Sequence, residues 1–186
     1  MDARVPRVVT DDDTATPDPP EKPVPDDDWR RIVEHVPLVS VDLLVRDGDG
    51  VVVGKRTNEP AKGEWFVPGG TVLKGERLEA AVHRVAREEL GVDVEIEERL
   101  GTYEHFYDTS EVPGVDSKHY LATAFVVTPA EDESGRRPWE EAATRDDQHA
   151  GFRTVVGDDA ELHPYVRRYL RDAGIGNAEA GERRDA

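Results

Sequence analysis

The sequence contains no cysteine among its 186 residues. This absence excludes a disulfide framework, a thiolate metal site and a cysteine nucleophile. The chain also lacks an apolar run close to the roughly 20 residues that cross a bilayer. Its first residues show neither a basic segment followed by an apolar one nor a small-residue cleavage site, as a signal peptide would. We therefore expect a cytoplasmic protein with no membrane partner.

Basic residues are scarce relative to acidic ones. The 24 lysines and arginines stand against 41 aspartates and glutamates, which gives a formal net charge of −17 at pH 7. Nucleic-acid phosphates repel such a surface, because their binding requires Lys and Arg to displace counterions. We therefore exclude nucleic acid as a partner. The acidic excess also favours a salt-rich cytoplasm, where ions screen self-repulsion beyond roughly 3 to 10 Å.

The length suits one ordinary domain, and both ends of the chain are poor in apolar residues. Residues 1–27 contain a run of three aspartates and six prolines, and residues 174–186 are small and polar. Neither segment can bury enough apolar area to offset the entropy lost on ordering. We predict a disordered, acidic, proline-rich tail over 1–27, one folded domain over 28–173 and a flexible tail over 174–186.

Periodicity and turn residues predict strands interleaved with few helices, which is typical of an α/β fold. The first helix carries Trp29 on its apolar side, is capped by Asp27 or Asp28 and ends before Pro37. Pro68 and the two glycines after it predict a loop. The predicted strands are 38–45, 51–57, 92–97, 101–107 and 120–127, and the other predicted helices are 76–90 and 164–172.

The helix predicted over 76–90 turns one carboxylate towards the core. Its apolar face contains Leu78, Ala81, Val82 and Val85. Glu89 falls about 20° from Leu78 on a helical wheel, and an ionised carboxylate there is costly unless a cation or several donors meet it. Glu89 therefore indicates a metal ion or an arginine. Alternatively, Arg84 and Glu88 form a surface ion pair, and Glu89 bends out to solvent.

A motif match favours the metal. The segment GGTVLKGERLEAAVHRVAREELGV resembles the Nudix box, a loop-helix-loop motif whose carboxylates hold divalent cations against a diphosphate. The fixed positions that fit in register are Gly70, Glu76, Arg84, Glu88, Glu89, Gly91 and Val92. Seven matches over 23 residues are a strong signal, unlike a lone glycine motif. The resemblance implies a Nudix-type α/β/α sandwich around a mixed β-sheet.

One position departs from the box, since the glutamate expected after Arg84 is Val85. In many family members that glutamate helps to bind metal and activate water, so here either the base lies elsewhere or the protein is inactive. Segments outside the box resemble the GDP-mannose mannosyl hydrolases, a Nudix branch that also lacks this glutamate and hydrolyses the bond between sugar and diphosphate. The resembling segments are PLVSVDLLV, GKRTNEPAKGEWFVPGG, EHFYD, HY at 119–120 and DDQHAGFR.

By position, this resemblance implies a catalytic centre. Mg²⁺, with Mn²⁺ as the alternative, would be bound by the backbone carbonyl of Gly69, by Glu89 and by the side-chain carbonyl of Gln148. His149 would take the proton from water, because an imidazole with a pKa near 6.5 suits that work at neutral pH. Arg56 would bind the diphosphate and stabilise the departing oxyanion.

The resemblance also implies the residues around the substrate. Asp42 and Tyr120 would line the sugar side and contribute to catalysis, Trp29 would stack on guanine, and His105 would bind substrate. The residues alone leave other interpretations open. Trp29 fits a core anchor, His105 fits a hydrogen-bonded core histidine, and Asp42 in an apolar strand is a buried charge that needs some partner.

We therefore expect Mg²⁺-dependent hydrolysis of a nucleoside diphosphate sugar, GDP-mannose to GDP and mannose, by a homodimer. Two departures from the branch keep alternatives open: Thr71 replaces an arginine, and Glu88 adds a carboxylate that would admit a further metal. The first alternative is a Nudix pyrophosphohydrolase that cuts the P–O–P bond with Glu88 and Glu89. The second is a non-catalytic nucleotide-binding sensor, favoured by Val85 and Thr71.

Overall fold

The structure is a computed structural model that describes most of the chain. The described residues are 24–130, 139, 149–157 and 159–176. The first helix begins at Asp26 and Ile175 is buried, so packed structure reaches two positions beyond each predicted domain boundary. The rest of both predicted tails lies outside the described residues. Within the described segments, no helix is long and apolar enough to cross a membrane.

Helix α1 (Asp26–His35) precedes the sheet. It starts before Asp27 and Asp28, and no side chain caps it, so the expected cap was wrong. Both aspartates instead lie in the first turn, where their charge complements the helix dipole. The helix stops as predicted before Pro37, because a residue that precedes proline disfavours the helical conformation.

Seven strands of the described residues form one mixed sheet. They are β1 (Leu38–Asp47), β2 (Gly50–Arg56), β3 (Trp65–Phe66), β4 (Gly69–Thr71), β5 (Val94–Tyr107), β6 (Lys118–Pro129) and β7 (His149–Val155). The order is β3-β2-β1-β6-β5, with β4 paired to β1 and β7 to β2. Strands β1 and β6 are parallel, and the other pairs are antiparallel.

Two predictions about strands were wrong. The expected loop after Pro68 contains β4, which pairs with β1 through Gly69 and Asp42. The two strands predicted over 92–97 and 101–107 form the single strand β5, whose register against β6 shifts on both sides of Glu98. Gly101 adopts a φ of 146° beside one of these shifts, and its pairing with β6 continues through it.

The Nudix-box helix is shorter than predicted and changes type. Helix α2 spans Leu78–Val85 and continues as a π-helical turn over Ala86–Leu90. Glu76 lies before the helix, not inside it. Gly91 ends the turn with a left-handed φ of 70°, as predicted for a glycine stop. The π-helical turn carries Glu88 and Glu89, and such turns often occur at functional sites.

Helices cover both faces of the sheet, which confirms the α/β/α sandwich. Helix α2 packs on one face, in a core that contains Val41, Leu43, Val82, Val85 and Phe125. Helix α3 (Pro164–Asp172), which has the predicted bounds, packs on the other face with Leu44, Val53, Val126, Val166 and Tyr169. A third, smaller cluster joins α1 to the segment between β5 and β6.

Candidate active site

A cleft of about 680 Å³ lies between the Nudix-box segment, the sheet and α1. Side chains alternate along a strand, so residues two apart share a face. The strand residues that line the cleft in such pairs are Ser40 and Asp42 of β1, His105 and Tyr107 of β5, and Lys118 and Tyr120 of β6. Distant segments of the sequence therefore meet around one space.

Most of the residues predicted for the site line this cleft. They are Trp29, Asp42, Arg56, Gly69, Glu88, Glu89, His105 and Tyr120. His149 is not among the lining residues of the described chain, and Gln148 lies outside the described residues. The structure thus brings together the predicted substrate residues and the helix carboxylates.

An internal ion pair holds the Nudix-box loop on its helix. Arg84 donates from Nε to Glu76 Oε1 at 2.7 Å and from Nη2 to Glu76 Oε2 at 2.9 Å. Nη2 also reaches the carbonyl of Thr71 at 2.9 Å, and the amide of Leu73 donates to Glu76 at 2.9 Å. Burial raises the pKa of Glu76, but these hydrogen bonds and the Arg84 charge outweigh it and lower the pKa below its ordinary value.

We expect Arg84→Met to destabilise the protein by about 3 to 5 kcal/mol, because it leaves the Glu76 carboxylate buried without its cation. The Glu76 side chain is 0% exposed, so water cannot replace the lost partner. Arg87→Met is the matched control. Arg87 pairs with Asp93 where both side chains are exposed, and its loss should cost about 0 to 1 kcal/mol. Urea unfolding at neutral pH measures both changes, and equal losses would contradict this account.

Glu89 lies where its position on the helical wheel predicted. It is half-buried, lines the cleft and accepts a hydrogen bond from the amide of Gly69 at 3.1 Å. No group of three acidic or histidine side chains gathers among the described residues. A metal ion here would therefore need backbone or amide oxygens beside Glu89. An all-oxygen donor set of this kind fits Mg²⁺.

Asp42 finds the partner that its burial requires. Tyr169, on α3 and fully buried, donates to Asp42 Oδ2 at 2.7 Å, and its hydroxyl lies 2.8 Å from His105 Nε2. Burial raises the pKa of Asp42 to about 6, although the Tyr169 hydrogen bond and the Arg56 charge oppose this. Burial lowers the pKa of His105 to about 4, so its ring is neutral at pH 7.

The neutral His105 ring is fixed from two sides. Its Nε2 carries the proton, because the Tyr169 hydroxyl already donates to Asp42 and so accepts from His105. Tyr165 stacks on the ring with centroids 4.0 Å apart, and the Tyr165 hydroxyl bonds the backbone of Phe106. His105 is therefore a hydrogen-bonded, buried histidine that lines the cleft, and its contact with substrate stays a prediction.

His149 lies at the start of β7, opposite Arg56 in the sheet register. It is 4% exposed. Its ring packs against Phe152, with centroids 4.9 Å apart, and covers Gly54, where a Cβ would come within 2.5 Å of His149 Cδ2. Gly54 is therefore required for this close approach. The sheet register places His149 beside the cleft residue Arg56, but its buried ring is not among the described side chains that line the cleft.

Some residues of the site were not predicted from the sequence. Tyr107 and Lys118 line the cleft, and their two-residue spacing from His105 and Tyr120 was a usable signal. Tyr169 had no such signal, because its role depends on α3 packing against β1. Long-range packing of this kind leaves no pattern in one sequence.

Comparisons with known proteins agree with this geometry. The sequence pattern of the NUDIX domain family matches residues 36–168. The low-salt glycan biosynthesis protein Agl8 of Haloferax volcanii is 58% identical over 153 residues, which cover 82% of this chain and 92% of that protein. An ADP-ribose pyrophosphatase of Methanocaldococcus jannaschii is 39% identical over 67 residues, 36% of this chain and 40% of that one.

Solved structures share the fold. A Nudix hydrolase from Nitrosomonas europaea matches with a TM-score of 0.56 and 17% identity, over 76% of this chain and 90% of that one. A MutT protein from Methanosarcina mazei matches with a TM-score of 0.56 and 20% identity, over 75% and 96%. With the box geometry and the family match over residues 36–168, these similarities show that the chain belongs to the NUDIX domain family.

Proposed function

We propose that the protein is a Mg²⁺-dependent hydrolase of a nucleoside diphosphate sugar, with GDP-mannose as the substrate. Nudix hydrolases act on small nucleotide derivatives and generally use divalent metal ions. In the proposed reaction, the oxygen of water bonds to C1 of the sugar while the bond from C1 to the diphosphate oxygen breaks. GDP leaves, and the configuration at C1 inverts because there is one displacement.

The observation that carries this proposal is the environment of Val85. This residue stands where the Nudix box has a glutamate, and it is 1% exposed. A Cβ on Gly70 would lie 2.8 Å from Val85 Cγ2, so the loop and the helix close tightly over an apolar side chain. The carboxylate that activates water in many Nudix enzymes is therefore absent, and the cleft needs another base.

The metal-binding residues would be Glu89, the backbone carbonyl of Gly69 and the side chain of Gln148. Mg²⁺ there would neutralise charge on the departing diphosphate. The amide of Gly69 already donates to Glu89, so the carboxylate and the Gly69 backbone are adjacent, which supports these two as neighbouring ligands. The role of Gln148 is a prediction that lies outside the described residues.

The remaining roles follow from where the residues lie. Arg56 would bind the diphosphate; its Nε donates to the carbonyl of Pro60 at 2.8 Å, which orients the guanidinium at the cleft wall. Asp42, His105 and Tyr120 would hold the sugar through hydrogen bonds, and Trp29 would stack on the base. His149 would accept the proton from water.

One curated relative supports a sugar nucleotide as the substrate. The Agl8 protein of Haloferax volcanii carries a name that refers to glycan biosynthesis, and activated sugars are the reactants of that process. The cytoplasmic location and the homodimer remain predictions.

Product analysis tests the bond that is cut. Incubation with GDP-mannose and Mg²⁺ should release free mannose and GDP, separable by ion-exchange chromatography and a reducing-sugar assay. Mannose 1-phosphate with GMP would instead show cleavage of the P–O–P bond. Tight binding with neither product set would identify the non-catalytic sensor.

Cleavage of the P–O–P bond is the second candidate, and Glu88 favours it. Glu88 lines the cleft beside Glu89, and its Oε2 accepts from Arg84 Nη1 at 2.8 Å. Two adjacent carboxylates would admit more than one metal ion, the arrangement that this candidate uses. The similar segment in the ADP-ribose pyrophosphatase of Methanocaldococcus jannaschii supports the same candidate.

A further inference from the structure

The cleft offers few cations to an anionic substrate. Among the described residues that line it, the cationic ones are Arg56, Arg84 and Lys118. Every nitrogen of the Arg84 guanidinium already donates within the Nudix box, to Glu76, Glu88 and the carbonyl of Thr71. Among the described residues that line the cleft, Arg56 and Lys118 are therefore the cations left to bind a negatively charged substrate.

Lys118 is buried at this wall. Its side chain is 3% exposed, and its Nζ donates to Glu111 Oε1 at 2.5 Å and to the Tyr120 hydroxyl at 3.0 Å. An ammonium has three donors, and these two contacts use two of them. Lys118 also lines the cleft, so a ligand there could accept from the third N–H.

The counter-ion of Lys118 sits on a separate segment. Glu111 lies between β5 and β6, and its side chain is 42% exposed. Val112 and Val115, in the same segment, pack against Val33 of α1. Glu111 can therefore rotate into water while its segment stays anchored, whereas Lys118 cannot leave the cleft wall.

Stability alone does not account for this pair. Taking an ammonium out of water costs several kcal/mol, and apolar residues of similar size are often as stabilising as a buried ion pair. Thr71, which follows Gly69 and Gly70, carries no charge and so offers no cation to a substrate. Lys118 supplies one elsewhere on the wall of the same cleft.

We propose that Lys118 is an anion subsite of the cleft, in which an anionic oxygen of the substrate replaces the Glu111 carboxylate on the ammonium. The inference rests on the proposed function, since it takes a nucleoside diphosphate sugar as the ligand. The anionic oxygen belongs either to the diphosphate or to a carboxylate on the sugar. In either case, the anionic oxygen replaces the Glu111 carboxylate as the hydrogen-bond acceptor of the Lys118 ammonium.

Opposite effects of two substitutions test the exchange. Lys118→Met should weaken binding of the anion about tenfold, the loss of one charge-assisted hydrogen bond of ~1.4 kcal/mol. Glu111→Gln should tighten binding by about two- to threefold, because it removes the competing carboxylate. Lys74→Met, which removes an exposed lysine outside the cleft lining, is the matched control and should change nothing.

Three probes separate the sources of the oxygen in calorimetric titrations. GDP is titrated with Mg²⁺, and GDP-mannose and GDP-mannuronate are titrated with EDTA so that no turnover occurs. A diphosphate contact changes the affinity for all three probes. A sugar carboxylate contact leaves GDP unchanged and makes the wild-type protein prefer GDP-mannuronate, a preference that Lys118→Met abolishes.

The proposed subsite is contradicted if Lys118→Met binds all three probes with the affinity of the wild type. It is also contradicted if both substitutions weaken binding equally, as expected for a purely structural ion pair. If Lys118→Met fails to fold, Glu111→Gln alone tests the proposal, because a higher affinity for the probes is expected only if substrate replaces the Glu111 carboxylate. These are binding measurements, so they stand even if product analysis shows that the proposed bond is not the one cut.

Discussion

Glu89→Gln should lower the turnover of GDP-mannose by roughly 10²- to 10⁴-fold. The substitution preserves the size of the side chain and an oxygen that can accept from the Gly69 amide, but it removes the charge that would hold the metal ion. A bound metal stabilises transition-state charge by several kcal/mol, and each ~1.4 kcal/mol is a factor of ten in rate. Steady-state turnover over a range of Mg²⁺ concentrations is the measurement, and the apparent Mg²⁺ affinity should fall with it.

Glu88→Gln is the matched control for this prediction. Glu88 is exposed and paired with Arg84, and the proposed mechanism gives it no metal to hold. Its loss should change turnover by less than about threefold, within the range of an exposed ion pair. A loss as large as that of Glu89→Gln would contradict the one-metal mechanism and favour P–O–P cleavage with both carboxylates.

His149→Ala should slow turnover by roughly 10²- to 10⁴-fold while GDP-mannose still binds, because a positioned general base contributes about that much. His149 lies opposite Arg56, and its ring is buried against Phe152. Substrate or metal binding must therefore bring the ring to water for this prediction to hold. Turnover and calorimetric binding, measured on the same preparation, separate loss of the base from loss of the site.

Two further variants keep the base assignment testable. His149→Gln fills more of the space that alanine leaves and lacks a base, so it should be as slow as His149→Ala. Phe152→Leu disturbs the same ring packing without removing the imidazole, and its turnover should stay near that of the wild type. Near-normal turnover in His149→Gln, or equal losses in both variants, would reduce His149 to a packing residue.

The sequence predicted best the elements with a long, regular pattern. The closing helix has its predicted bounds, because Pro164 fixes its first turn and the His163 ring accepts from the amide of Tyr165. Strand β4 was missed, since three residues around two glycines show no period. The break expected near Gly101 was also wrong, because pairing with β6 continues along one irregular strand through this position.

The candidate site was predictable where it lies in a motif and not where it depends on packing. The inward turn of Glu89 followed from helical spacing. Arg84 and Glu76 were identified as Nudix-box positions, but their ion pair was not predicted. The bond between Tyr169 and Asp42 joins residues 127 positions apart, and nothing local to either residue indicates it. A buried aspartate in an apolar strand indicates that some residue must be its partner, but only the fold shows which residue that is.

The central claim, that water attacks the sugar and not a phosphorus atom, is tested most directly with GDP-mannose in H₂¹⁸O. Mass spectrometry of the products, taken early enough to limit exchange at the free sugar, follows the label. We expect one ¹⁸O in the released mannose and none in GDP. Label in GMP or in mannose 1-phosphate would contradict the account, because the oxygen of water would then have bonded to phosphorus.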